Sequence, residues 1–292
     1  MARSITLSIG IVLLALLGTA AASAGLVGAT SAPVKHFMPT QLNAPQPLGS
    51  ASPAVSNMVY GGGPVQTAPK VYLVFWGWTS GDPSGEAPVL AKFFAGVGGS
   101  SWANIQTQYS SIGNPSGQLA GTWWDNSSGF QTIPDLYVGN EALRAEAHFG
   151  YNANADYIIA TPHLHNDAEF GAQYCAWHSN IADSAGKQVA YTDLPYIPDA
   201  QLGTCGQNFV NAGAAGNLDG VTIVGGHEYA EAVTDPIPTT GWADTSGQEN
   251  GDKCAWNSGP GATAQNIVLS TGTFAVQSLW SNAASACAIH YP

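Results

Sequence analysis

The segment Val221-Thr222-Ile223-Val224-Gly225-Gly226-His227-Glu228-Tyr229-Ala230-Glu231-Ala232-Val233 constrains this chain more than any other. It reads as a helix over 221–233, stopped shortly afterwards by Pro236, because a proline forces the residue before it out of the α region. Its apolar and small residues fall on every face, and a helix of that kind runs through a core. Yet it carries His227, Glu228 and Glu231. On a helix, positions i and i+4 stack one turn apart, so His227 and Glu231 can grip one ion together. The string H-E-x-x-E is close to the H-E-x-x-H signature of zinc peptidases, and zinc accepts a carboxylate in place of the second imidazole. Glu228 sits to the side, placed to take a proton from the water that such an ion activates. The Gly225-Gly226 pair allows a second backbone or a substrate to come close. The plainer alternative is a surface helix in which His227 and Glu231 form an i,i+4 pair.

A zinc site needs at least three protein ligands and an open position. The glycine-rich loop 241–254 carries Asp244, Glu249 and Asp252 next to Cys254. Glu249 ranks first as the third ligand, because it stands 18 residues after Glu231 (249 − 231), a spacing found in zinc peptidases with a distant glutamate ligand. Asp252 ranks second, Asp235 third and Asp244 fourth. The same acids also suit turn caps or a structural calcium, and a carboxylate-rich set admits Ca²⁺, iron or manganese beside Zn²⁺. Tyr229, or a histidine from elsewhere, is the candidate stabiliser of an oxyanion. His163 and His165 form a His-x-His pair after a strand, where both rings fall on one side and can supply ligands or substrate contacts. His178, near Cys175, is a candidate substrate contact, with packing as its plainer role. Trp123-Trp124 can stack on sugars or fill a core. No G-x-S-x-G string occurs in the sequence, so a serine-hydrolase reading has no nucleophile motif behind it.

Around this helix the chain has the layout of an exported protein. Residues 1–24 read as a signal peptide, with Arg3, an apolar run from Ile5 to Leu17 and an Ala22-Ser23-Ala24 cleavage site. Residues 25–55 hold five prolines among Ala, Ser and Gly with no apolar period, which reads as a linker or pro-segment outside the folded core. Residues 56–292 are long enough for one well-buried secreted domain. The formal net charge is −12, or −13 once Arg3 is removed (six Lys+Arg against 19 Asp+Glu). Such a surface repels nucleic acid and anionic membranes, so the expected partners are extracellular polypeptide or cell-wall material, met by a monomer. Four cysteines in an exported chain favour two disulfides. Three pairings exist; Cys175–Cys205 with Cys254–Cys287 is preferred because each closes a loop of about 30 residues, contributing about 3 kcal/mol in the chain-entropy picture.

The β-branched and aromatic run at 70–77 predicts a strand buried on both faces, and 155–161 and 187–192 predict two more. Helices are expected over 87–97, 100–109 and 140–149, and strands near 267–269, 274–276 and 280–282. Strands alternating with helices predict an α/β (or α+β) single layered domain, a mixed β-sheet flanked by helices, with a zincin-like active-site helix.

The opening Asn57-Met58-Val59-Tyr60-Gly61-Gly62-Gly63-Pro64, the run Lys70-Val71-Tyr72-Leu73-Val74-Phe75-Trp76-Gly77, Ser101-Trp102, Gly203-Thr204-Cys205-Gly206, and Glu249 with Cys254 resemble, in order, the Exordium-like or phosphate-induced protein family of secreted plant proteins. The resemblance spans roughly residues 57–287 and implies secretion, a single domain and a non-catalytic cell-wall role. This chain reads as a microbial form of it, in which the H-E-x-x-E helix adds the enzymatic expectation. The leading reading is therefore a zinc endopeptidase with His227, Glu231 and Glu249 as ligands and Glu228 as base. The alternative is a non-catalytic extracellular protein holding a structural cation.

Overall fold

The computed structural model describes residues 34–44, 56–127, 135–164, 167–257 and 261–292. In chain order its strands are β1 (His36–Pro39), β2 (Val59–Tyr60), β3 (Lys70–Trp76), β4 (Leu119–Asp125), β5 (Ala155–Ala160) and β6 (Tyr174–Ala182). They continue with β7 (Gln188–Leu194), β8 (Trp242–Ala243), β9 (Gln265–Leu269), β10 (Gly272–Val276), β11 (Leu279–Ser281) and β12 (Ala286–Ala288). Three α-helices are α1 (Glu86–Val97), α2 (Asp135–Phe149) and α3 (Asp219–Thr234).

The main sheet is mixed, in the order β1-β6-β7-β5-β3-β4. Strands β4, β3, β5 and β7 run parallel, while β6 and β1 each pair antiparallel. Successive side chains of a strand point to opposite faces. Leu73, Phe75, Ile158 and Ala160 accordingly join the core built with α1 and α3, and Val74, Trp76, Tyr157, Ile159 and Tyr191 join the core built with α2. This is the layered α/β domain expected from the alternation of runs. The pairs β9–β10, β11–β12 and β2–β8 are small ribbons beside it.

The N-terminal stretch departs from the linker reading of 25–55. His36–Pro39 is an edge strand of the main sheet, Met38 is fully buried, and the backbone at Thr40 and Gln41 is hydrogen-bonded to Gln173 and Thr204. A four-residue strand is too short to show a period of two, and its closing Pro39 sits where an edge needs no further ladder donor. Strand β6 lies outside the expected elements, and it is buried on both faces over Tyr174–Ser179, which places His178 inside the packed sheet. The segment expected to be helical at 100–109 is a short 3₁₀ turn over Ala103–Gln108.

The disulfides are Cys175–Cys205 and Cys254–Cys287, the preferred pairing. Two such bridges point to an oxidising, extracellular-type environment. Among the described residues no helix is long and apolar enough to cross a membrane.

Asp193 supplies a pH test of the α2-side core. It lies opposite Trp177 in the β6–β7 ladder, 5% exposed, and its Oδ1 has no hydrogen-bond partner. Burial, followed by the charge of Asp167, pushes its carboxyl up to about 8. The folded form thus holds a proton that the unfolded chain releases near its ordinary value of 3.8. Stability from this group is complete below that value and is lost as pH rises through about 8. Urea unfolding at pH 6 and pH 9 is expected to show a fall on the order of 3 kcal/mol, reduced in Asp193→Asn. An identical fall in the variant assigns the loss elsewhere.

Candidate metal centre

Helix α3 is buried along its whole length. Gly220 is required where it enters, since a Cβ there would stand 2.0 Å from the Cys205 carbonyl oxygen. Gly225 and Gly226 face Leu90, Phe94, Phe93 and Trp102, so the pair seats α1 and neighbouring aromatic side chains, in place of the expected substrate or second backbone. One turn of the helix then presents the predicted pair, with His227 Nε2 3.1 Å from Glu231 Oε1.

Three other parts of the fold converge on that turn. From β6, His178 Nδ1 lies 3.3 Å from Glu228 Oε2 and 3.6 Å from Glu231 Oε2, while its Nε2 lies 3.7 Å from Glu249 Oε2. From β1, His36 stands opposite His178 in the strand register; its Nδ1 is 3.3 Å from Glu249 Oε1 and its Nε2 is 2.5 Å from Asp252 Oδ2. From the loop ahead of Cys254, Asp252 Oδ1 comes 3.7 Å from His227 Nε2, and the Asp252 N–H donates to Glu231 Oε1 at 2.9 Å. Gly251 permits this approach: a Cβ there would come 2.8 Å from both Glu231 Oε1 and His227 Nδ1.

Gln277 sets the His227 tautomer. Its amide nitrogen donates to the carbonyls of Gly251 and Ser278, which turns its Oε1 towards His227 Nδ1 at 3.2 Å. An acceptor at Nδ1 holds a proton there, as outer partners of metal-bound histidines do, and although burial lowers the ring's pKa, the Glu231 charge beside Nε2 raises it above the ordinary imidazole value.

The donors fall into three groups whose ligand atoms lie within 4.8 Å of one another: His36–Glu231–Asp252, His178–Glu231–Glu249 and His227–Glu228–Glu231. His178 Nε2, His227 Nε2, Glu228 Oε1, Glu231 Oε2 and both Glu249 oxygens are buried without a hydrogen-bond partner. Buried polar atoms are ordinarily satisfied, and this many orphans converging at one place fit a cation. The electrostatics agree. Burial, then the charges of Glu231 and Asp252, push Glu228 well above the ordinary glutamate value, and burial with Glu231 and Asp235 does the same to Glu249. Burial and the neighbouring His36 and His227 drive His178 well below the ordinary imidazole value. Burial alone would also depress His36, but Asp252 and Glu231 push it up to about 9.

Both leading acids of the loop reach the cluster, Asp252 on the His227 side and Glu249 on the His178 side. Asp235 instead accepts the Gly241 N–H and closes the turn after α3. Asp244 pairs with Lys253 at 2.6 Å and caps its own turn. Tyr229 points the other way, its hydroxyl bonded to Gln118 and its ring between Phe94 and Trp102, so it offers nothing to an oxyanion in this cluster. His163 is bound to Asp199 at 2.6 Å beside Tyr196. His165 lies outside the described residues. Trp123 stacks on His148 and Trp124 on Phe75. Sequence reasoning missed His36, Gly251 and Gln277, and it gave His178 too small a part. The signal within reach was a lone histidine among apolar residues in each of two strands, His36 in β1 and His178 in β6.

No family profile, curated protein or solved structure matches this chain.

Proposed function

We propose that the protein is a secreted metal-dependent hydrolase, a zinc endopeptidase acting on extracellular polypeptide or cell-wall material. The observation that carries this reading is the convergence of unpartnered, buried His and Glu donor atoms on one turn of α3, with Glu228 beside them. His227 and Glu231, with Asp252 or Glu249, would hold the ion, which when bound polarises a carbonyl and brings the pKa of a water down to about 7. Glu228 is the general base. Among the described residues its ion-pair contact is with His178 alone, which leaves the carboxyl placed to accept a proton in the chemical step and to return it to the leaving group. His178 orients that carboxyl. Asp252 and His36, whose side chains are 12% and 17% exposed, form the only open side of the cluster among its described members and mark where substrate enters. The resemblance to Exordium-like proteins and the two disulfides support an extracellular setting.

The test is digestion of casein, read by mass spectrometry, with the purified protein loaded with zinc, stripped with o-phenanthroline, and reloaded. Cleavage that stops on stripping and returns on reloading is the expected result. Folded, zinc-loaded protein that leaves every peptide and ester substrate intact overturns the reading.

One observation favours a second reading. His227, Glu228 and Glu231 are 0% exposed, and so closed a site also suits a structural cation in a non-catalytic cell-wall protein. Under that reading the ion stabilises the fold and Glu228 has no kinetic role.

A further inference from the structure

We propose that the cluster holds two divalent cations bridged by the Glu231 carboxylate. This rests on the metal-dependent reading above and specifies its site. Two of the donor groups, His36–Glu231–Asp252 and His178–Glu231–Glu249, share only Glu231. The two Glu231 oxygens face different company. Oε1 lies 3.1 Å from His227 Nε2 and accepts the Asp252 N–H at 2.9 Å. Oε2 lies 3.6 Å from His178 Nδ1 and has no hydrogen-bond partner. One cation thus belongs on the Oε1 side with His227, Asp252 and His36, and the other on the Oε2 side with His178 and Glu249. Glu228 stands beside both.

Donor number and charge lead to the same count. The groups, with their shared members counted once, comprise three imidazoles and four carboxylates. A catalytic zinc uses three protein ligands and keeps one position open, so the six that remain when the base Glu228 is set aside are too many for one ion and suit two that share a carboxylate. Four ionised carboxylates carry a charge of −4, and ligating imidazoles are neutral. One divalent cation leaves −2 in a cluster whose inner members His178, His227, Glu228, Glu231 and Glu249 are each at most 1% exposed. Two cations leave zero (−4 + 4). Uncompensated buried charge is strongly disfavoured, whereas charge matched by coordination is not. A two-metal centre also fits hydrolysis of an amide or ester, because one ion can activate the water while the other polarises the carbonyl oxygen.

Zinc stoichiometry separates this inference from the reading it rests on. The full-length purified protein is stripped with chelator, reloaded with zinc, dialysed against metal-free buffer and measured by elemental mass spectrometry. Two zinc per chain is the expected result, falling to one in Asp252→Asn with an unchanged circular-dichroism spectrum. One zinc per chain in the parent protein overturns the bridged pair and leaves the metal-dependent hydrolase standing. No zinc in folded protein overturns both. A measurement that needs no variant is electron paramagnetic resonance of the Mn²⁺-loaded protein. A carboxylate-bridged pair gives a spin-coupled spectrum, and the hyperfine pattern of isolated ions at full loading refutes the bridge.

Discussion

Glu228→Gln is expected to lower hydrolytic turnover by roughly 10²–10⁴-fold while leaving metal content, fold and melting temperature close to those of the parent, the usual range for loss of a positioned general base. Glutamine keeps the shape of the side chain and one acceptor oxygen but cannot take a proton. The helix turn that presents His227 and Glu231 is unchanged, because Glu228 is held by α3 and by packing against β6, with His178 Nδ1 3.3 Å away. The position is also fully buried, and its carboxyl is already pushed towards the neutral form by burial and by Glu231 and Asp252. A neutral amide therefore fits there without a new desolvation cost. A variant that hydrolyses substrate at the parental rate assigns the base elsewhere. One that loses metal along with activity makes Glu228 a ligand.

Stripping the metal is expected to lower the melting temperature by on the order of 10 °C at pH 8. A ligand present at a thousand times its Kd stabilises the folded state by about 4 kcal/mol, and each kcal/mol moves a domain of this size by about 2–4 °C. The pH dependence has a definite sign. Without the ion, Glu228 and Glu249 hold protons in the folded state above the ordinary glutamate value, and the unfolded chain releases them. The stripped protein thus loses stability as pH rises through those raised values. In the loaded protein these two carboxylates are ionised in both states and add no pH dependence of their own, while Asp193 acts equally on both forms. The gap between loaded and stripped protein widens from pH 5 to pH 8, and calorimetry of both forms at the two values measures it. Equal melting temperatures at pH 8 remove any role for a bound cation.

What could be read along the chain was what depends on near neighbours. The H-E-x-x-E spacing put His227 and Glu231 one turn apart, and α3 keeps them 3.1 Å apart as the geometry of a single helix requires. The apolar runs of β3, β5 and β7 were legible because strands buried on both faces need continuous apolar sequence. Other expectations were about composition and failed where composition is a poor guide. Proline-rich residues 25–55 read as linker, yet they contribute β1 and its ring His36. Tyr229, next to Glu228 in sequence, turns away from the cluster and bonds to Gln118. Asp235, close in sequence to α3, closes a turn.

By itself the sequence determined the helix, its His227–Glu231 pair, the adjacent Glu228 and the elements of an α/β sheet, since each follows from local periodicity and side-chain chemistry. Only the tertiary structure decided which distant groups complete the cluster. His36 meets His178 because β1 pairs with β6 in a register that sets them opposite each other. His36 reaches Asp252 across 216 positions of sequence. The loop carrying Glu249 and Asp252 reaches α3 because Gly251 lacks a Cβ and because Cys254 is tied to Cys287. Such contacts are set by strand register and loop closure, which depend on the packing of the whole domain and leave no periodic trace in the residues that make them.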